Sequence, residues 1–436
     1  MRFLLLSHTS EFSSGGEKSL VELAQNLIEK GHEVLIITPD KGGLSTHLQS
    51  LGINAVVIPF RYWVSSNYVQ APHNDTSAAD MTAVSAISNL IVSYQPDFCV
   101  TNTSVIPWLA YAASIHNVRH IWCVREYADL DYNFTFELGM QSSYATIRAL
   151  SDKVFANSIG VRDVIAQRMG VPSGDIGLLY PYVSPPKKTI KTTNPFSTKG
   201  LKVVIIGNIR PSKGQFDAVK GFHRALKNGL AESELILIGT ETDPVYTQKI
   251  KNFIQKQNIG DYVSFAGFQK DPYIFTVNAD VCLVCSTMEA FGRVTVEAML
   301  AGAVVVGKNT AGTSEIIQKG TGYLYENIDE MGSLLVKLGS QLSTLKKIRD
   351  TALSYASKTF SKEYCYKEFY KYIDSQPAKT AVSLHLLSGY TDALREAQDA
   401  AKTSAEQLQL IYNSKRYHLA QNLAKPVEYI HRNKTK

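Results

Sequence analysis

Short apolar runs alternate along this chain with longer stretches whose apolar positions return every three or four residues. The runs predict strands over Arg2–Leu6, Glu33–Thr38, Ala55–Pro59, Phe98–Thr101, His120–Val124 and Lys153–Ala156. The stretches between them, such as Glu17–Lys30, Thr82–Tyr94 and Pro107–His116, predict helices. A second series follows, with strands over Lys202–Ile206, Glu234–Ile238, Tyr262–Ala266, Asp280–Cys285 and Ala303–Val306 and helices over Gln215–Lys227 and Val245–Gln257. Strands alternating with helices build βαβ units and a parallel sheet covered on both faces. The expected fold class is α/β, with two Rossmann-like, doubly wound domains facing a cleft and a C-terminal helical extension.

Between the two series the pattern stops. From Ser184 to Lys202 the chain holds five lysines, no acid and little apolar content. That composition suits a solvated linker over 185–200, or else a basic patch that touches a membrane. The expected domains are therefore 1–184 and 201–358, followed by an aromatic-rich crossover helix over 359–376 and a helical extension over 377–436. In the extension Leu387, Leu394, Ala401 and Leu408 fall seven apart, with Tyr390, Ala397, Ser404 and Ile411 three residues after each. This heptad seam either makes a homodimer through 387–411 or folds back on its own domain. The basic end, with Lys425, Arg432, Lys434 and Lys436, is suited to lipid head groups or a partner protein.

Composition narrows the class. At 436 residues the chain exceeds one ordinary core, and 44% hydrophobic with 19% charged residues is the profile of a soluble globular protein. A net charge of +6 is too mild for a nucleic-acid footprint, so no nucleic-acid partner is expected. Five cysteines form no disulfide framework, and Cys282-x-x-Cys285 lies in an apolar run without a second pair to complete a zinc site. The four apolar residues after Arg2 are too few for a signal peptide or a membrane span, so the expected location is cytoplasmic.

The chemistry concentrates between Met288 and Gly307. Glu289 and Glu297, with seven residues between them, bracket a Phe291-Gly292 turn that follows one predicted strand and opens a short helix ended by Gly302. A carboxylate at such a mouth accepts hydrogen bonds from paired hydroxyls, as sugars and riboses present. The helix N-terminus offers unpaired backbone N–H groups suited to a phosphate, and Gly292 allows close approach. Taken singly, either glutamate is an ordinary N-terminal acid of a helix.

This segment resembles the retaining, family-four glycosyltransferases of GT-B fold, and the resemblance covers about residues 1–374. The next turn, Ala311-Gly312-Thr313-Ser314-Glu315, resembles that family as well. The resemblance implies that Glu289 holds donor-sugar hydroxyls, Glu297 holds the ribose, the backbone at Phe291 and Gly292 faces the diphosphate, and Arg293 is a further donor-binding candidate. It also implies that Lys213, in Gly207-Asn208-Ile-Arg210-Pro-Ser-Lys213-Gly214, neutralises the diphosphate as it departs. The family's usual arginine is Asn208 here and Arg210 stands two residues later, so both are donor-binding candidates. Gly15 and Gly16 resemble the family's glycine-rich loop, and Glu17 between Gly16 and Lys18 rules out a P-loop. The absence of Gly-x-Gly-x-x-Gly after the first strand argues against a dinucleotide oxidoreductase.

At the strand end Trp122–Tyr127, Arg125 replaces the family's histidine beside Glu126. Arg125 and Glu126 are therefore either acceptor or phosphate contacts, with Glu126 catalytic, or a plain surface salt bridge. His8 has a similar choice between function and structure. The implied reaction moves a sugar from a nucleotide-diphosphate-sugar to a glycan or lipid-linked acceptor, the leaving phosphate taking the acceptor proton. No cofactor and no metal are expected, because the donor region has no Asp-x-Asp and Lys213 meets the same electrostatic need. The alternatives are an inactive or regulatory scaffold on the same fold and a nucleotide-sugar epimerase.

Overall fold

In the computed structural model, residues 1–65, 73–185, 194–375 and 406 are described. The chain divides into two compact units, Met1–Thr380 and Ala381–Lys436, and the second lies outside the described residues apart from residue 406. The heptad seam over 387–411 apart from residue 406, the basic tail and residues 186–193 of the lysine-rich linker therefore fall outside them.

The first half builds a seven-stranded sheet from β1 (Arg2–Leu6), β2 (Glu33–Thr38), β3 (Asn54–Val57), β5 (Phe98–Thr101), β6 (Arg119–Val124), β8 (Lys153–Ala156) and β9 (Gly177–Leu178). Its order is β3-β2-β1-β5-β6-β8-β9, with every pairing parallel. A separate antiparallel pair joins β4 (Val64–Ser65) to β7 (Thr135–Phe136). The second half builds six parallel strands, β10 (Lys202–Ile206), β11 (Glu234–Ile238), β12 (Val263–Gly267), β13 (Val281–Val284), β14 (Val304–Lys308) and β15 (Gly322–Tyr325), in the order β12-β11-β10-β13-β14-β15. This is the α/β GT-B architecture of two Rossmann-like sheets.

Alternation along each strand feeds two faces. Phe3 and Leu5 enter one core with Leu20, Leu23 and Leu27 of the Gly15–Glu29 helix, while Leu4 and Leu6 enter the other with Ile87, Leu109 and Ala113. In the second sheet Val203 and Ile205 pack beside Val219 and Phe222, and Val204 packs beside Met299 and Val296. Burial on both faces explains the near-continuous apolar runs of the sequence. Near its end the described chain returns to the first half. Tyr366, Phe369 and Ile373 join the first core, whereas Phe360 and Cys365 belong to the second. Lys362 pairs with Glu29 at 2.6 Å, and Tyr370 donates to Asn26 at 2.7 Å.

Strands β4, β7 and β9 lie outside the sequence reading because two residues carry no periodicity, and β15 because it opens on glycine and holds no β-branched residue. All five cysteines are free and buried, with Cys282 inside β13. Among the described residues no helix is long and apolar enough to cross a membrane.

Candidate functional site

Each sheet has one place where strand order reverses, between β1 and β5 in the first and between β10 and β13 in the second. Loops leaving the carboxyl ends of such neighbours splay to opposite faces and open a crevice. Most of the predicted residues stand at these two crevices.

On the second sheet, the loop after β10 ends in the turn Pro211–Lys213, and the loop after β13 carries Glu289. Lys213 Nζ lies 2.5 Å from Glu289 Oε1, which also accepts from Ser286 Oγ at 2.6 Å. Burial pushes the Glu289 carboxyl up. The Lys213 charge and hydrogen bond, the Ser286 hydroxyl and the Arg210 charge outweigh it and hold the group below its ordinary value. Two glycines make this approach feasible. The Lys213 side chain lies over Gly207, 3.6 Å from where a Cβ would stand. A Cβ on Gly214, at φ 70°, would lie 2.2 Å from the Cys285 carbonyl oxygen. Gly292, at φ 93°, opens the Arg293–Ala301 helix, and a Cβ added there would lie 3.8 Å from Glu289 Cβ, so the helix N-terminus stands beside Glu289. Asn208 is exposed, and its carbonyl accepts from Gln215 Nε2 at 3.0 Å. Phe291 is buried against Tyr180 and Phe360.

Arg293 does not join this cluster. Its guanidinium forms a two-pronged pair with Glu22 of the first half, at 2.8 Å on both arms, and donates to the Tyr182 carbonyl at 3.0 Å. It also lies against Gly15, where an added Cβ would meet Arg293 Cδ at 3.0 Å. Glu297, four residues on, stands 3.7 Å from Arg293 Nε. This donor-binding candidate thus bridges the two halves.

On the first sheet, Gly15 and Gly16 open the Gly15–Glu29 helix behind a capping box made by Ser14 and Glu17. His8 lies 3.3 Å from the buried Glu17 carboxylate. Asn102, at the end of β5, donates to the Gly16 carbonyl at 3.0 Å and accepts from Arg125 Nε at 2.6 Å. Arg125 Nη1 is buried without a hydrogen-bond partner, so one arm of this cation is uncommitted. Glu126 is different. Its Oε1 accepts from Thr103 Oγ1 at 2.8 Å and from the Ser104 amide and hydroxyl at 2.5 Å, and its Oε2 accepts from the Arg125 amide. At 6% exposure it is neither a surface ion pair nor a free carboxylate. It ties the ends of β5 and β6 together.

Three residues were missed from the sequence. Tyr132 places its ring 5.7 Å beneath the Arg210 guanidinium, bringing the Asp129–Tyr132 turn against the second half. Beside it, burial raises the Asp131 carboxyl to about 7, with Glu126 and Glu289 adding like charge and the Tyr127 amide opposing. Glu22 is the third. None stands in a motif, and a lone acid or tyrosine on a helix carries no signal until its partner is placed opposite.

Two family models match the chain, Glycosyltransferase Family 4 over residues 13–185 and Glycosyl transferases group 1 over residues 186–339. The N-acetyl-alpha-D-glucosaminyl L-malate synthase of Bacillus anthracis is 24% identical over 324 residues, covering 71% of this chain and 80% of that protein. An uncharacterized 42.6 kDa protein in the cps region of Klebsiella pneumoniae is 22% identical over 342 residues, covering 73% and 88%. The crystal structure of Anabaena HepE in complex with UDP matches with a TM-score of 0.69 at 20% identity, over 86% of this chain and all of that one. With two paired Rossmann-like sheets and family models running from residue 13 to 339, the chain belongs to the group 1 glycosyltransferases and is an enzyme of that class.

Proposed function

We propose that this glycosyltransferase takes a nucleotide-diphosphate-sugar as donor and transfers the sugar with retention of configuration to a glycan or lipid-linked acceptor. The observation that carries this reading is the Lys213–Glu289 contact of 2.5 Å at the mouth of the Arg293–Ala301 helix. A carboxylate beside the donor holds sugar hydroxyls. The ammonium and the helix N-terminus stabilise the charge that builds on the diphosphate as the bond from sugar carbon to phosphate oxygen breaks. Arg210 adds a second positive charge felt at Glu289, and on this reading Glu297 holds the ribose. On this reading the charge comes from side chains, and turnover needs no metal.

The reading draws on the relatives as well. The Bacillus anthracis relative is an N-acetyl-alpha-D-glucosaminyl L-malate synthase, the Klebsiella pneumoniae protein belongs to a cps region, and Anabaena HepE has been crystallised with UDP and with UDP-glucose. They favour a uridine diphosphate donor and a role in surface polysaccharide or glycoconjugate assembly. Peripheral membrane contact and a dimer through 387–411 belong to the same reading. The test is a thermal-shift screen with UDP, GDP, ADP and CMP, followed by product analysis with the labelled donor. Binding to the folded state raises the melting point by mass action. A retained anomeric bond in the product supports the proposal; no shift with any nucleotide overturns it.

A further inference from the structure

The two crevices are joined by a run of hydrogen bonds. On the donor side, the Gly312 amide donates to the Glu289 carbonyl at 2.9 Å. Gly312 is pressed so closely on that loop that an added Cβ would stand 2.4 Å from the Phe291 carbonyl oxygen. Three residues on, Glu315 reaches into the first half. Its carboxylate accepts from the Ile159 amide at 2.9 Å and from the Gly160 amide at 3.2 Å, the first two residues of the Ile159–Met169 helix. Ser158 Oγ takes the Val161 amide, so the opening turn of this helix is capped partly from its own half and partly from the other. Tyr180 donates to the same Glu315 carboxylate at 2.6 Å, and burial together with the Glu315 charge pushes its phenol far up, keeping it a donor.

On the acceptor side, Asn157 immediately precedes that cap and donates to the Arg125 carbonyl at 2.9 Å. Gly160 lies under Tyr127, whose hydroxyl would be 2.3 Å from an added Cβ. The backbone that carries Glu289 is thus connected through Gly312, Glu315, the Ile159 turn and Asn157 to the strand end that carries Arg125. Each contact is a hydrogen bond or a close approach that admits only glycine.

We infer that Glu315 is a positioning residue: it latches the donor turn to the acceptor-side strand end and so sets the spacing between the two crevices. A carboxylate suits this place because it meets two amides and the positive end of an eleven-residue helix at once. The roles of the two crevices rest on the function proposed above; the mechanical coupling does not.

Hydrogen exchange on the full chain tests the coupling without any ligand. In Glu315→Ala, peptides covering 157–162 and peptides covering 286–292 should both lose protection by about tenfold or more, because both ends of the latch are released. Glu326→Ala, at an exposed site in the same half, should change neither. Exchange that rises only over 157–162 reduces Glu315 to a local helix cap and overturns the inference, as does no change at all. A second arm measures UDP binding by calorimetry and UDP release from UDP-glucose. UDP affinity should stay within about twofold while kcat falls at least tenfold, with partial recovery in Glu315→Gln, which keeps one acceptor oxygen. Equal kcat in Glu315→Ala and the wild type would overturn the inference. A wild type that binds no UDP and releases none would count against the proposed donor, while the exchange result would still decide the latch.

Discussion

The Arg293 guanidinium grips both oxygens of the Glu22 carboxylate at 2.8 Å, so the residue one step beyond the Phe291-Gly292 turn is anchored in the opposite half of the enzyme. Both side chains keep only about an eighth of their surface, 13% and 15%. Arg293→Ala should therefore destabilise the fold by about 2–3 kcal/mol, somewhat less than the loss of one partner from a fully buried pair. The exchanged double variant, Arg293→Glu with Glu22→Arg, should recover part of that loss. Urea melts of the two singles and the double settle the matter; purely additive losses would mean that the pair contributes no coupling.

Lys213 and Glu289 form the donor-side pair, and each is expected to strengthen its hold as charge moves onto the diphosphate. Lys213→Ala and Glu289→Ala should each lower kcat on the order of 10²-fold, with nucleotide binding reduced much less. Chelation with EDTA should leave the wild-type rate unchanged, because the ammonium supplies the charge. Near-normal turnover of both variants with the true substrates would remove these two residues from the mechanism.

Gly214 combines a left-handed φ of 70° with a backbone carbonyl 2.2 Å from where its Cβ would be. Gly214→Ala should cost about 2 kcal/mol or more and displace the neighbouring Lys213. Gly260 has nothing within 4 Å of that position, so Gly260→Ala should be neutral or slightly stabilising. Thermal melts of the two variants side by side would show the contrast, and equal melting points would refute it.

Asp131 provides a dependence on pH. Its carboxyl titrates at about 7 in the folded chain, mainly through burial. In the unfolded chain it titrates near its ordinary value of about 4. Between those values the folded state holds a proton that the unfolded state has released, so stability falls as pH rises through that window and levels off above it. Asp131→Asn keeps an oxygen for the Tyr127 amide, which donates at 3.0 Å, and carries no charge to desolvate. The variant should melt higher than the wild type at pH 8 and lose that advantage as the pH approaches 4. Parallel melting curves across the range would contradict the assignment.

The donor side was legible in the sequence because its parts are local. Glu289, Gly292 and Glu297 lie within one loop and one helix, and an apolar strand before them fixes which end of the sheet they occupy. Lys213 was legible for the same reason, one turn beyond β10. The acceptor side was not. Glu126 stands at a strand end in the sequence, and only the β5–β6 pairing brings Thr103 and Ser104 alongside to donate to its Oε1. Arg293 gains its partner Glu22 only when the helix carrying that acid packs against it.

Apolar periodicity by itself determined two parallel, doubly wound sheets, because burial on both faces forces continuous apolar strands and one-sided helices. It also placed the donor motif, whose geometry depends on residues close together in the chain. Only the tertiary structure decided which charges remain free. Glu22, Glu126, Arg293 and Glu315 are each satisfied by partners more than twenty residues away, and a charge shows its role only when the group that neutralises it is in place.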